Sequence, residues 1–229
     1  TPSHPVVIGQ TRPLPEMVQG VAVSGTYAYV VNGSSGLRIV DVSNPASPQE
    51  VGAYAAWDVV ASGVAIAGSY AYVASMNGLH IVDVSDPVTP TLAGFISTTE
   101  RALNVAVAGR YAFVAAERAG LQVIDVSDPA SPQRVGSWYE CSFDVAVAGA
   151  YAYAADCYSG LRVMNISDPA HPVRVSLLDT PGSSVGVAVA NNTVYIADVY
   201  GLDVVDVSRL RPVRTHIHPP ANGIGLQTP

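Results

Sequence analysis

Leu37-Arg38-Ile39-Val40-Asp41-Val42-Ser43 is the stretch that decides the architecture, because it returns four more times. The later copies read LHIVDVS from Leu79 to Ser85, LQVIDVS from Leu121 to Ser127, LRVMNIS from Leu161 to Ser167 and LDVVDVS from Leu202 to Ser208. A second string, Val-Ala-Val or Val-Ala-Ile, begins at Val21, Val64, Val105, Val145 and Val187, in steps of 43, 41, 40 and 42 residues. Five copies at one period define a repeat array, in which each unit buries its apolar faces against its neighbours.

Within the unit that starts at Asp144, the apolar runs are Val145 to Ala148, Tyr151 to Ala155, Leu161 to Ile166 and Val173 to Leu177. Each has strand length, is rich in Val, Ile or Tyr, and is bounded by turn formers: Gly149, Ser159-Gly160, and Ser167-Asp168-Pro169 with Pro172. Four short antiparallel strands about every 42 residues match a propeller blade. The near-continuous apolar runs fit sheets covered on both faces, since a sheet with one wet face would alternate with polar residues. The fold expected is all-β, a β-propeller of five four-stranded blades, with repeats near 20–62, 63–103, 104–143, 144–185 and 186–217.

Residues 1–9 align with Asp128 to Gly136 and so read as an outer, fourth strand. Ring closure is expected from this N-terminal strand completing the last blade, in a single domain over 1–217 followed by a tail over 218–229. Pro212 to Ile217 also resembles a fourth strand, which leaves six outer strands for five inner triplets. Either the C-terminal stretch is displaced or the chain is cut from a longer array. Thr1 in first place reads as a processed or excised product.

The five LxIVDVS strings, most followed by Asp or Asn, a Pro and a second Pro, resemble the LVIVD repeat family, whose members lie on bacterial and archaeal cell surfaces. The resemblance covers Thr1 to about Ile217. It implies a propeller and an extracellular or cell-surface setting, and it carries no activity or site residues with it. Asn165 stands where the other copies have Asp, and Arg209-Leu210-Arg211-Pro212 replaces the usual Asp-Pro turn.

Composition narrows the function classes. The net charge is -7, and the 11 basic residues are all Arg. With no basic stripe to neutralise phosphates, a nucleic-acid partner is not expected. Chemistry that depends on lysine is excluded. No apolar run approaches the roughly 20 residues that span a bilayer, so no transmembrane segment is expected. No Ser-His-Asp order, phosphate loop or metalloprotease helix occurs.

The repeated carboxylates Asp41, Asp83, Asp125 and Asp206 end the third strand of each unit, where an acceptor can hold the following turn, and Asn165 does this without charge. Residues that vary against the constant framework fall in the loops before the first strand and after the second, which share one rim. Among them are Trp57, Asp58, Arg101, Glu117, Tyr139, Asp144, Asp156, Tyr158, Asp198 and Tyr200. Aromatic rings and carboxylates mixed on a rigid rim suit a glycan or a surface protein. The expected function is therefore non-catalytic binding or scaffolding.

Two alternatives stand beside it. Glu117, Asp144, Asp156 and Asp198 could converge near the axis as the carboxylate pair of a carbohydrate-active hydrolase. The repeats could instead form a structural segment of a larger surface protein or filament, with self-association. No cofactor is expected, because one carboxylate per blade does not supply the several oxygens calcium needs, although calcium is left open. His216 and His218 read as a surface tail that could meet His4.

Cys141 and Cys157 are the only cysteines. If Val147 pairs with Ala152 across the Gly149-Ala150 turn, residue 141 falls opposite 158, one place from Cys157. The two sulfurs are then neighbours on the rim, either as free thiols or, where thiols are not kept reduced, as a disulfide.

Overall fold

The computed structural model describes residues 4, 6–55 and 60–210. These form five antiparallel sheets of four, four, four, four and three strands, with no helix among the described residues. Blade 1 consists of β1 (Gly20–Ser24), β2 (Tyr27–Val31), β3 (Leu37–Asp41) and β4 (Gln49–Tyr54). Blade 2 follows with β5 (Ala61–Ala67), β6 (Tyr70–Ser75), β7 (Gly78–Asp83) and β8 (Thr91–Ser97). Blade 3 has β9 (Asn104–Ala108), β10 (Tyr111–Ala115), β11 (Leu121–Asp125) and β12 (Gln133–Trp138). Blade 4 has β13 (Ser142–Ala148), β14 (Tyr151–Asp156), β15 (Gly160–Asn165) and β16 (Val173–Leu178), and blade 5 has β17 (Ser184–Ala190), β18 (Thr193–Asp198) and β19 (Gly201–Asp206).

The repeated residues explain the repeated elements. The first hairpin of each blade closes in a two-residue turn whose first position takes a positive φ, supplied by Gly in the first four blades. In blade 5 Asn191 stands there, with φ 55°, since Asn tolerates this region better than other side chains. The second hairpin runs into the LxIVD strand. Its closing acceptor caps the next turn: the Ser43, Ser85, Ser127, Ser167 and Ser208 amides donate to Asp41, Asp83, Asp125, Asn165 and Asp206 at 2.8–3.0 Å. The turn-holding role expected for this position is what the geometry contains, with Asn165 serving like the others.

Four hydrophobic clusters lie between consecutive blades, and in each the third strand of one blade meets the first strand of the next. Leu37 and Ile39 of β3 meet Val64 and Ile66 of β5, and Leu79 and Ile81 of β7 meet Val105 and Val107 of β9. Leu121 and Val123 of β11 meet Val145 and Val147 of β13, and Leu161 and Val163 of β15 meet Val187 and Val189 of β17. The period-2 alternation of a strand thus sends Leu-x-Ile forward to the next blade and Val-x-Val back to the previous one.

A second contact recurs on the outer strands. A Cβ at Gly52 would sit 2.0 Å from the Pro87 carbonyl oxygen of the next blade, one at Gly94 2.0 Å from that of Pro129, and one at Gly136 2.2 Å from that of Pro169. Only a missing side chain permits this approach. Ser176 occupies the equivalent place in β16, facing blade 5, which is the one blade whose turn lacks an Asp-Pro or Asn-Pro pair. Gly94→Ala is therefore expected to destabilise by about 1–3 kcal/mol, since backbone and not a movable side chain blocks the new methyl. Ser176→Ala should stay within about 0.5 kcal/mol. Urea unfolding of the two variants checks this.

At the N-terminus, a Cβ on Gly9 would lie 1.9 Å from the Pro45 carbonyl oxygen. The segment thus lies on blade 1 as the outer strand of a preceding blade would, in keeping with its alignment. It does not supply the fourth strand expected for the last blade: among the described residues, 6–10 hold no ladder with β19, and the fifth sheet keeps three strands. In keeping with this, β1 and β17 share no packing comparable with that between successive inner strands, so among the described residues the ends of the array do not meet. Pro212 to Ile217, the tail, His216 and His218 lie outside the described residues.

Candidate functional site

The loops that leave the second strand of one blade meet those that enter the first strand of the next. Gly33 bridges Ala61, Glu117 bridges Ser142, and the Ala102 amide donates to the Ser75 carbonyl at 3.0 Å. These junctions form one rim. Trp57 and Asp58 fall outside the described residues.

Blade 4 carries the most cross-linked part of the rim. Cys141 and Cys157 are joined by a disulfide with a Cα–Cα distance of 5.6 Å. The one-place offset expected from the Val147–Ala152 register is removed by a β-bulge between Ser142 and Asp144, beyond which Ser142 faces Asp156 and the cysteines fall in line. The same irregularity recurs at Ala61/Gly63 and Ser184/Gly186. Beside the disulfide, the buried Arg162 guanidinium pairs with Asp156 and, at 2.7 Å, with Glu140. Glu140 also accepts from the Trp138 indole N–H at 3.1 Å. Sequence reasoning missed Arg162; its signal was Arg38, which holds the same place in its repeat and pairs with Glu50.

The four carboxylates expected near the axis are each engaged locally. Asp156 accepts the Tyr158 and Ser159 amides at 2.8 and 3.1 Å as well as Arg162. Asp198 accepts from the Tyr200 and Gly182 amides and the Thr180 hydroxyl, which hold its carboxyl below the usual range. Glu117 pairs with Arg101 at 3.0 Å. Asp144 joins three blades, accepting from Asn104 of β9, from its neighbour Val145 and from the Val187 amide of β17. Its carboxyl is raised by burial, against which those donors work. None of the four hydrogen-bonds another, and Asp144 serves as an interblade clamp.

What the rim does bring together is a pair of tyrosines. Tyr158 and Tyr200, 75% and 79% exposed, line one cleft of about 530 Å³ with Asp179, Thr180, Ser183 and Val199. Asp179 was not singled out from the sequence; its signal is its place in the loop entering β17, the kind of loop that supplies the rim elsewhere. Tyr139 is exposed on the loop before β13. A second concavity, about 870 Å³, lies between residues 10–14 and β4 and is lined mainly by polar groups.

Electrostatics of the turns sets an acid limit. The Asp125 carboxyl, bound by the Arg110 guanidinium and the Ser127 amide, is held at about 2. Asp41, Asp83, Asp86, Asp168, Asp198 and Asp206 are lowered by their own hydrogen-bond donors, while only Asp144 moves upward. An unfolded Asp protonates near about 3.9, so between there and the lower folded values the unfolded chain binds more protons. This stabilisation is complete above about pH 5 and is lost as the pH falls toward about 2; Asp144 works in the opposite sense but is a single group. Urea midpoints should therefore drop between about pH 6 and about pH 3, and less steeply in Asp125→Asn.

Sheet architecture, interblade packing and a loop-built rim define a β-propeller repeat domain. The chain belongs to the LVIVD repeat family, whose repeat matches residues 15–56, 60–98, 101–139, 142–180 and 181–210. Among solved structures it is similar to the computationally designed Ika8 protein, with a TM-score of 0.67 and 9% identity, over 82% of this chain and 58% of that one. It is also similar to the Myceliophteria thermophila Cps50 (Swd1) β-propeller domain, with a TM-score of 0.65, 12% identity, 80% of this chain and 67% of that one. The designed Ika4 protein aligns at 0.55 and 12% identity, over 69% of this chain and 98% of that one. At such identities the likeness concerns the fold alone. Comparison with curated proteins gives no match.

Proposed function

We propose that this propeller is a secreted or surface-exposed binding and scaffolding module, without catalysis, that holds a glycan on the rim between blades 4 and 5. The observation that carries this is the cleft flanked by Tyr158 and Tyr200. Two exposed rings on a rigid scaffold offer apolar faces for a sugar ring to stack on, with the Asp179 carboxylate and the Ser183 hydroxyl to meet its hydroxyl groups. Both tyrosines are mostly exposed, with the edge of the Tyr200 ring resting against Gly182, whereas Glu117, Asp144, Asp156 and Asp198 are each held by partners within the protein. The disulfide supports an oxidising, extracellular location.

A glycan array probed with the purified protein, in calcium and in chelator, tests the proposal against a Tyr158→Ala/Tyr200→Ala variant. A bound glycan whose signal falls at least about tenfold in the variant is the expected result, in line with loss of aromatic anchors. A blank array turns the rim toward a protein partner. Binding unchanged in the variant removes this cleft from the site.

A further inference from the structure

Blades 1 and 5 each leave bare a face that the interior blades bury. The forward Leu-x-Ile/Val pair is at most 3% exposed in the first four blades, yet in blade 5 Leu202 and Val204 are 65% and 61% exposed. The backward Val-x-Val pair is packed into an interblade cluster in blades 2 to 5, yet in blade 1 Val21 and Val23 are 62% and 67% exposed. Apolar patches of this kind mark contact surfaces. What covers them is specified by the molecule itself, because all four established interfaces set a Leu-x-Ile/Val face against a Val-x-Val/Ile face. The outer strands agree. Blade 5 has three strands among the described residues, and residues 6–9 lie beside blade 1 where the fourth strand of a preceding blade would lie.

We propose that a second copy of this chain occupies these faces, head to tail. Blade 5 of one copy packs Leu202 and Val204 on Val21 and Val23 of the next, continuing the interblade interface across the junction. The β19 edge, which has no partner strand among the described residues, then runs alongside residues 6–9 of that copy, which shields it. Because the two faces differ, the contact is heterologous and leaves one of each kind free on a dimer, so association continues to rings or longer arrays.

Light scattering after size exclusion, over a range of concentrations, tests this with two variants: Leu202→Asp/Val204→Asp and Val21→Asp/Val23→Asp. Wild type should exceed one chain in mass and grow with concentration. Each variant alone should run as a single chain, its self-association weakened at least about 30-fold by charges placed in the contact. Mixed in equal amounts, the two should form a dimer and nothing larger, since each brings one intact face. A wild type of single-chain mass at every concentration overturns the proposal, as does a Val21→Asp/Val23→Asp variant that still dimerises alone. Loss of the far-UV dichroism of either variant overturns it too, because these side chains would then already be covered within one chain.

Discussion

Leu79→Ala is expected to cost about 2–5 kcal/mol, whereas Leu202→Ala, at the same place in its repeat, should change the stability of the single chain by no more than about 0.5 kcal/mol. Leu79 is fully buried between blades 2 and 3, in contact with the cluster that includes Ile81, Ala102, Val105 and Val114. Its removal leaves a cavity walled by two sheets that are each pinned by their own ladders and cannot close on the space. Among the described residues no blade lies in front of Leu202, which is exposed. Urea unfolding in dilute solution measures both. Equal losses at the two positions would mean that blade 5 packs onto blade 1 within one molecule, and the open array would be wrong.

Reduction of the Cys141–Cys157 disulfide is expected to cost about 3 kcal/mol, from the chain entropy returned to the unfolded state across a 16-residue separation. For a chain of this size that corresponds to a fall in Tm of roughly 6–12 °C. The effect is concentrated in blade 4, because the disulfide fixes the loop entering β13 next to the exit of β14, where Arg162 joins Asp156 and Glu140. Reductant should lower the Tm of wild type and leave that of a Cys141→Ala/Cys157→Ala variant unchanged. Two thiols that alkylate in native protein without reduction, together with a Tm indifferent to reductant, would sink this prediction and weaken the extracellular location.

The candidate site was legible in part. Tyr158 and Tyr200 could be placed on one rim because the repeat fixes which loops share it. Their joining in a cleft with Asp179 depends on how blades 4 and 5 approach one another, a distance no repeat spacing contains. Asp144 and Asp198 read as free carboxylates because some of their partners are remote: Val187 is 43 residues from Asp144, and Thr180 is 18 from Asp198; the partners of Asp156, namely Tyr158, Ser159 and Arg162, are near in sequence. The two cysteines were read as neighbours, and the register that set residue 141 opposite 158 was off by one place because a bulge cannot be seen in a hydrophobic pattern that it does not interrupt.

Sequence by itself determined the number of blades, their strands, the hairpin turns and the acceptor that ends each LxIVD strand, because these rest on short-range propensity and on a pattern repeated five times. That Leu-x-Ile faces forward and Val-x-Val back became visible only in the packing of successive sheets. Whether the last forward face meets the first backward one was decided only by tertiary structure. Ring closure depends on the small rotation between neighbouring blades summed around the array, and each interface sets that rotation through side-chain volumes and backbone approaches such as Gly94 on Pro129. A sequence identical in every local feature can curl into a closed ring or stand open with both faces bare.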